Sequence, residues 1–103
     1  MKHTHVSGGR RAPIVTAHAR TRMSQRAIRP EILRLAMIFG REVHAANAVF
    51  VVVGRREVSE ARVDGIDIND LEGIHVVCSR GGDVITVYRD RTLRALHRAR
   101  RVA

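Results

Sequence analysis

Apolar and polar positions alternate most clearly between Gly73 and Arg89, in the stretch G-I-H-V-V-C-S-R-G-G-D-V-I-T-V-Y-R. Two β-branched runs flank Gly81-Gly82. Glycine takes the positive φ of a tight turn without steric cost, so the stretch predicts a β-hairpin. With Gly81-Gly82 as a two-residue loop, Arg80 faces Asp83, Ser79 faces Val84, Cys78 faces Ile85, Val77 faces Thr86, Val76 faces Val87 and His75 faces Tyr88. Val76, Cys78, Ile85 and Val87 then share an apolar face, while His75, Val77, Thr86 and Tyr88 share a mixed one. A change of one residue in the loop would reassign these faces, because side chains alternate with a period of two.

Upstream the period becomes helical. Ala19, Met23 and Ala27 recur every four residues and predict a helix from about Thr16 to Ile28, with Thr16 as N-cap. Beside that stripe lies a polar one, His18, Arg22, Gln25 and Arg29, with Arg26 between the two. Pro30 opens a second predicted helix, Pro30 to Phe39, with Glu31 at its positive end and Gly40 as its stop. Ile32, Leu35, Ala36 and Phe39 form one stripe, and Leu33, Met37 and Ile38 make the other sides apolar as well. Such a helix is either deeply buried or covered by a partner, so a homodimer or partner contact is expected. Val49 to Val53 reads as a strand, preceded by a shorter one, Glu42 to Ala45, which carries His44, with Ala46-Asn47 as the turn. Arg55 to Val63 reads as a short helix ending near Gly65, and Ile66 to Gly73 as a loop. A terminal helix, capped by Asp90 or Thr92, is expected over Asp90 to Val102. The predicted fold class is α+β: N-terminal helices packed on a small three- to four-stranded antiparallel sheet, with a basic C-terminal helix. Residues 1–13 are expected to be a flexible basic tail, 14–90 a single domain and 91–103 the basic helix or tail.

Composition narrows this picture. The chain of 103 residues suits one domain, and with 45% hydrophobic but only 3% aromatic residues its core must be aliphatic. No apolar run reaches the ~18 residues of a membrane span, and the opening M-K-H-T-H-V-S-G-G-R-R lacks the apolar segment of a secretory signal. One cysteine, Cys78, allows no internal disulfide, so a reducing cytoplasm is the expected location. The net charge of +9 is unevenly spread: nine Lys/Arg and one acid in residues 1–41, five Arg and nine acids in 42–90, five Arg and no acid in 91–103. An excess of this kind suits RNA, DNA or an acidic partner protein. An Arg-rich composition by itself also follows from a GC-rich genome, which explains the choice of Arg over Lys but not the surplus over acids.

The candidate chemistry follows from the charge. Metal-independent RNA cleavage needs a base, an acid and a cation for the phosphorane. His18, His75, Tyr88, Arg22, Arg26 and Arg89 supply these types, and a first helix packed across the mixed hairpin face would bring His18 and Arg22 to His75 and Tyr88. Arg26, Arg29 and Arg89, together with the terminal row Arg91, Arg94, Arg98 and Arg101, are candidate nucleic-acid contacts. These last four fall on one helix face, where like charges repel unless an anion lies against them. Each row also reads as an ordinary solvated face. His3 and His5 form an H-x-H pair that could touch a metal but has no further ligand near it in the sequence, and the acids Asp67, Asp70 and Glu72 lack the glycine and ligand alternation of a calcium loop. The chain has no G-x-G-x-x-G, no P-loop and no paired Cys, so no cofactor is expected. Cys78 falls on the apolar face, as a small core residue rather than a nucleophile.

H-A-R-T-R-M-S-Q-R-A-I (His18 to Ile28), V-V-V-G-R-R-E-V (Val51 to Val58), L-E-G-I-H-V-V (Leu71 to Val77) and G-D-V-I-T-V-Y-R (Gly82 to Arg89) together resemble the bacterial domain of unknown function family numbered 4258. The resemblance spans about Thr16 to Arg89, and its pattern matches at His18, Arg22, Arg26, Thr86, Tyr88 and Arg89. The plan of that family is similar to RelE and BrnT type toxins. The resemblance implies RNA cleavage or ribosome association and an acidic, antitoxin-like protein partner. It fixes no catalytic set, because RelE-like ribonucleases vary in theirs.

Overall fold

The computed structural model describes residues 14–94, 96 and 97. They form α1 (Ala17–Gln25), α2 (Pro30–Phe39), β1 (Arg41–Ala45), β2 (Ala48–Val52), α3 (Arg55–Val63), a 3-10 turn (Asn69–Leu71), β3 (Ile74–Cys78) and β4 (Val84–Arg89). The four strands make one antiparallel sheet in sequence order, so the class is α+β. The expected tail over 1–13, the candidate contacts Arg98 and Arg101, and the far part of the expected terminal helix lie outside the described residues.

The sheet is apolar on both faces, which explains the unbroken run Val49–Val53. On one face Val49, Val51, Val76, Cys78, Val84 and Val87 join Ala19 and Met23 of α1, Leu33 and Ala36 of α2, and Val58 and Ala61 of α3 in the main core. On the other, Phe50 and Val52 pack with Ala45 and Leu96, flanked by Val43, Val77 and Leu93. The second cluster takes residues from beyond position 90, so the fold reaches into the segment that composition marked as tail. There the His97 N–H donates to the Leu93 carbonyl at 3.0 Å, a helical i−4 bond.

The hairpin corrects the sequence reading in two places that cancel. Its loop holds three residues, Arg80–Gly82: the Gly82 N–H donates to the Ser79 carbonyl (2.9 Å), the Ser79 N–H to the Asp83 carbonyl (2.9 Å), and Gly82 takes φ +97°. This is a turn closed by a left-handed glycine, the usual geometry of a three-residue hairpin loop. Cys78 therefore faces Val84, not Ile85. A bulge between Val77 and Cys78 then adds one residue to β4, and Val77–Thr86, Val76–Val87 and His75–Tyr88 pair as expected. The bulge expels Ile85, which is 38% exposed, and puts Val84 in the core in its place.

The first helix stops at Gln25, three residues short of the expected Ile28. Arg26 is the C-cap and Ala27 turns left-handed at φ 55°. The Ile28 N–H reaches the Met23 carbonyl (2.9 Å) and the Ala27 N–H the Ser24 carbonyl (3.2 Å), while Ile28 and Met23 are both buried. These two bonds and the apolar contact form a Schellman stop. The end of α3 uses the same device with Gly65 at φ 77°, and the Ile66 and Gly65 N–H groups reach the Ala61 and Arg62 carbonyls at 2.9 Å each. One stop carries the glycine that announces it; the other carries alanine and is silent in the sequence.

Candidate functional site

The sheet separates the residues that the sequence reading grouped. Ala19 and Met23 hold α1 against the main-core face, with Val76 and Val87. His75 and Val77 point to the opposite face because they alternate with Val76. His18 and Arg22 are exposed on one flank of α1, where the Arg22 Nη1 donates to the Gln25 Oε1 at 3.4 Å. The expected approach of His18 and Arg22 to His75 and Tyr88 is therefore overturned: a sheet lies between the pairs.

His75 is fully enclosed, and it stacks on the half-buried ring of Tyr88 with centroids 4.9 Å apart and planes at 14°. Its Nδ1 lies 2.8 Å from the Gly73 carbonyl. A carbonyl only accepts, so Nδ1 carries the proton and the neutral ring leaves Nε2 as a bare acceptor. That Nε2 is buried and finds no hydrogen-bond partner among the described residues. Burial holds the His75 pKa below the usual value; the Gly73 carbonyl and Asp90 oppose this, and Arg41 adds to it. With no exposed atom, His75 meets no substrate in this arrangement. Its geometry is that of a packed, stacked core histidine.

The candidate arginines divide by what they touch. Arg26 Nη1 donates to the Val87 carbonyl (2.9 Å) and to the Thr86 hydroxyl (3.4 Å), tying the end of α1 to the edge of β4. Arg89 Nη1 donates to the Asp70 (2.9 Å) and Glu72 (3.3 Å) carbonyls and holds the loop before β3. Both are fasteners of the fold. Arg29 pairs with Glu31 at 3.3 Å. It also leaves the polar stripe of α1, because the left-handed Ala27 turns the chain before reaching it. Arg91 and Arg94 are exposed.

Three further features were not singled out by pattern. Glu57 is buried and accepts from the Gly54 N–H (2.7 Å) and the Arg41 guanidinium (2.9 Å), which anchors α3 to β1. Glu at the third position of a helix is a readable N-terminal signal. The second is an open apolar groove of about 870 Å³ between α1 and the start of α2, floored by Met23, Ile28 and Leu33 and rimmed by Arg20 and Arg29. The third is a cleft of about 500 Å³ at the far end of α2, lined by Phe39, by Asp64 and by two ion pairs, Arg41–Glu57 (2.9 Å) and Arg56–Glu60 (3.6 Å). Neither depression has a local sequence signature, since each joins residues from separate elements.

His44 is exposed, with Nε2 3.4 Å from Glu42 Oε1. Asp67 accepts from the Asn69 N–H at 3.0 Å, as a turn former. Among the described residues no three His, Cys, Asp or Glu side chains gather as metal ligands. Cys78 is buried, and burial, with Glu42 and Asp83 adding to it, pushes its thiol up to about 12. No helix among the described residues is long and apolar enough to cross a membrane. Compared with protein-family models, curated proteins and solved structures, the chain finds no match.

Proposed function

We propose that this protein binds nucleic acid through the phosphate backbone, without cleaving it. The observation that carries the reading is the outer flank of α1. His18, Arg22 and Gln25 stand exposed there on a regular helix, and residues 14–30 hold four Arg and no acid. Arg22 is the guanidinium on that flank and Arg20 is exposed on the other side of the same helix; such groups suit phosphate oxygens, and their charge releases condensed counterions on contact. The basic ends of the sequence add to the same attraction. The aromatic inventory favours backbone contacts over base stacking: Phe50 is buried, Phe39 is half-buried on the core, and Tyr88 is stacked on His75.

RNA is the nucleic acid we propose, on the strength of the resemblance to the family numbered 4258 and to the RelE and BrnT type. The order of two helices followed by an antiparallel sheet supports that kinship. A reducing cytoplasm suits the single buried cysteine. Dispersal of His18, Arg22, His75 and Tyr88 across the sheet favours binding over catalysis.

The test is fluorescence anisotropy of a labelled RNA hairpin with the full chain, at rising salt. Affinity should fall linearly on a log–log plot. Arg22→Glu, at an exposed position, should weaken binding and lower the slope by about one phosphate contact. No binding at low salt, or binding indifferent to salt, refutes the reading and leaves an acidic protein as the partner for these cations. Cleavage of the hairpin that disappears in His18→Ala refutes the non-catalytic part alone.

A further inference from the structure

The two edges of the sheet are finished differently. At β4 the chain closes its own edge. The Val84 N–H donates to the Ile14 carbonyl (2.8 Å), the Thr16 N–H to the Val84 carbonyl (3.1 Å), and the Arg26 guanidinium to the Val87 carbonyl (2.9 Å). At β1 no strand lies outside among the described residues. The loop from β1 to β2 holds two residues, Ala46 and Asn47, both left-handed at φ 49° and 62°, as a type I′ turn requires. Ala45 and Ala48 flank that turn and exchange both of their backbone bonds. Alternation then aims the backbone groups of Val43 and Arg41 at β2 and those of Glu42 and His44 outward. Among the described residues no further backbone bond reaches these outward groups. Edges are commonly blunted by lysine, proline or a bulge, and β1 has none of them.

We infer that β1 pairs antiparallel with β1 of a second copy, about a two-fold axis at Val43, to make one continuous sheet. Outward-facing residues pair only with outward-facing ones, so an axis through the middle of β1 passes Glu42, Val43 or His44. At Glu42 it sets two carboxylates face to face. At His44 it leaves Glu42 opposite Ala46, beyond the end of the strand. At Val43 it sets each Glu42 opposite the copy's His44, and the four residues exchange four N–H to carbonyl bonds. Within one chain His44 Nε2 lies 3.4 Å from Glu42 Oε1, which leaves the other ring nitrogen and the other carboxylate oxygen for the copy. A carboxylate on a free edge deters a strand that sets nothing basic opposite it. A second copy brings His44 to that place, which is why it suits this edge. The chain's own residues 1–13 lead into Ile14, which is bonded to the opposite edge. On the second face Val43 packs beside Ala45, Phe50, Val52 and Leu96, and Val43 against the copy's Val43 joins the two clusters.

The same strand serves both copies, so the contact closes on itself. Each copy's β4 edge is already covered, and assembly therefore stops at the dimer. A strand of five residues buries little area, which places the association among weak, transient contacts. Two molecules of net charge +9 also repel at long range. At ~0.15 M salt the screening length is ~8 Å, so that repulsion fades while charges in contact are screened less.

The test leaves the proposed nucleic-acid flank of α1 untouched. Sedimentation equilibrium of the full chain at ~0.15 M salt should show a weight-average mass that rises with concentration and levels off at the dimer. The His44 side chain is 65% exposed, so its replacement spares the core. His44→Arg keeps a cation opposite Glu42 and should tighten the dimer, whereas His44→Glu sets carboxylate against carboxylate and should weaken it. Two symmetric cross-strand pairs give a change of roughly 2- to 30-fold in each direction. His44→Pro removes an outward N–H, which an edge strand tolerates, and should leave a folded monomer by circular dichroism. The register has its own readout. Paired residues at the axis place their Cα atoms ~4.5 Å apart, within disulfide range. Because Cys78 is buried, Val43→Cys supplies the reactive thiol, and diamide should link it into a covalent dimer faster than it links His44→Cys. A wild-type chain that stays monomeric throughout overturns the inference. So does a dimer that persists in folded His44→Pro, a mass that climbs past the dimer, or faster linkage through His44→Cys.

Discussion

Replacing His75 with Phe isolates the effect of one buried imidazole on stability. Phe keeps an aromatic ring against Tyr88 and removes the Nε2 that is buried without a partner among the described residues. It also removes the Nδ1–H bond to the Gly73 carbonyl. That oxygen keeps a second donor, the Asp90 N–H at 2.7 Å, so no buried carbonyl is orphaned. A bond to a neutral acceptor contributes about 1 kcal/mol, and a buried unsatisfied acceptor costs about 1–3 kcal/mol. The two changes oppose each other, so H75F should lie within about 1 kcal/mol of wild type, or above it, at pH 7. The pH dependence is the sharper part. Burial holds the folded pKa of His75 below its unfolded value of 6.5. The unfolded chain therefore binds more protons in the window below 6.5. Stability from this residue is fully present above that pH and is lost as the pH falls through the window, by at most ~1.4 kcal/mol per unit. Between pH 7 and 5 wild type should lose up to about 2 kcal/mol relative to H75F. The difference between the two proteins cancels the carboxylates and the other histidines. Urea denaturation followed by far-ultraviolet circular dichroism at pH 7, 6 and 5 gives the two curves. If they run parallel, His75 titrates alike in both states and its burial has been misread.

Three other outcomes follow from the same geometry. Ala27→Gly relieves a left-handed alanine at the end of α1 and should raise stability by ~0.5–1 kcal/mol in urea melts; a loss would mean that the strain is absent. Glu57→Ala leaves the buried Gly54 N–H unpaired and should cost about 1–3 kcal/mol, whereas Glu57→Gln keeps an acceptor for that N–H and should recover much of it; equal losses would refute the capping role. Cys78 is buried with its thiol pushed up to about 12, so a thiol reagent at pH 8 should label it only as fast as the protein unfolds, and rapid labelling of the folded chain would contradict its place in the core.

Hydrophobic pattern alone determined the α+β class, the run of α2 from a proline to the residue before a glycine, and the span of α3, whereas the pairing of His75 with Tyr88 came out as expected only because the longer loop and the bulge offset each other. The first three follow from local rules, in which proline fits the first helical turn and alternation declares a strand. Where a local signal was missing, the reading slipped. Ala27 stands where glycine would have marked the end of α1, and the bulge that expels Ile85 leaves no trace in a β-branched run. The candidate site failed for a different reason. Nothing in the sequence states which face of a sheet a helix will cover, because both faces here are apolar and either could have received α1. Tertiary packing placed α1 on the Val76 face and Leu96 on the other, so His18 and Arg22 were left in solvent and His75 was enclosed. The same packing assembled the groove and the cleft at the two ends of α2, from residues whose partnership no spacing along the chain encodes.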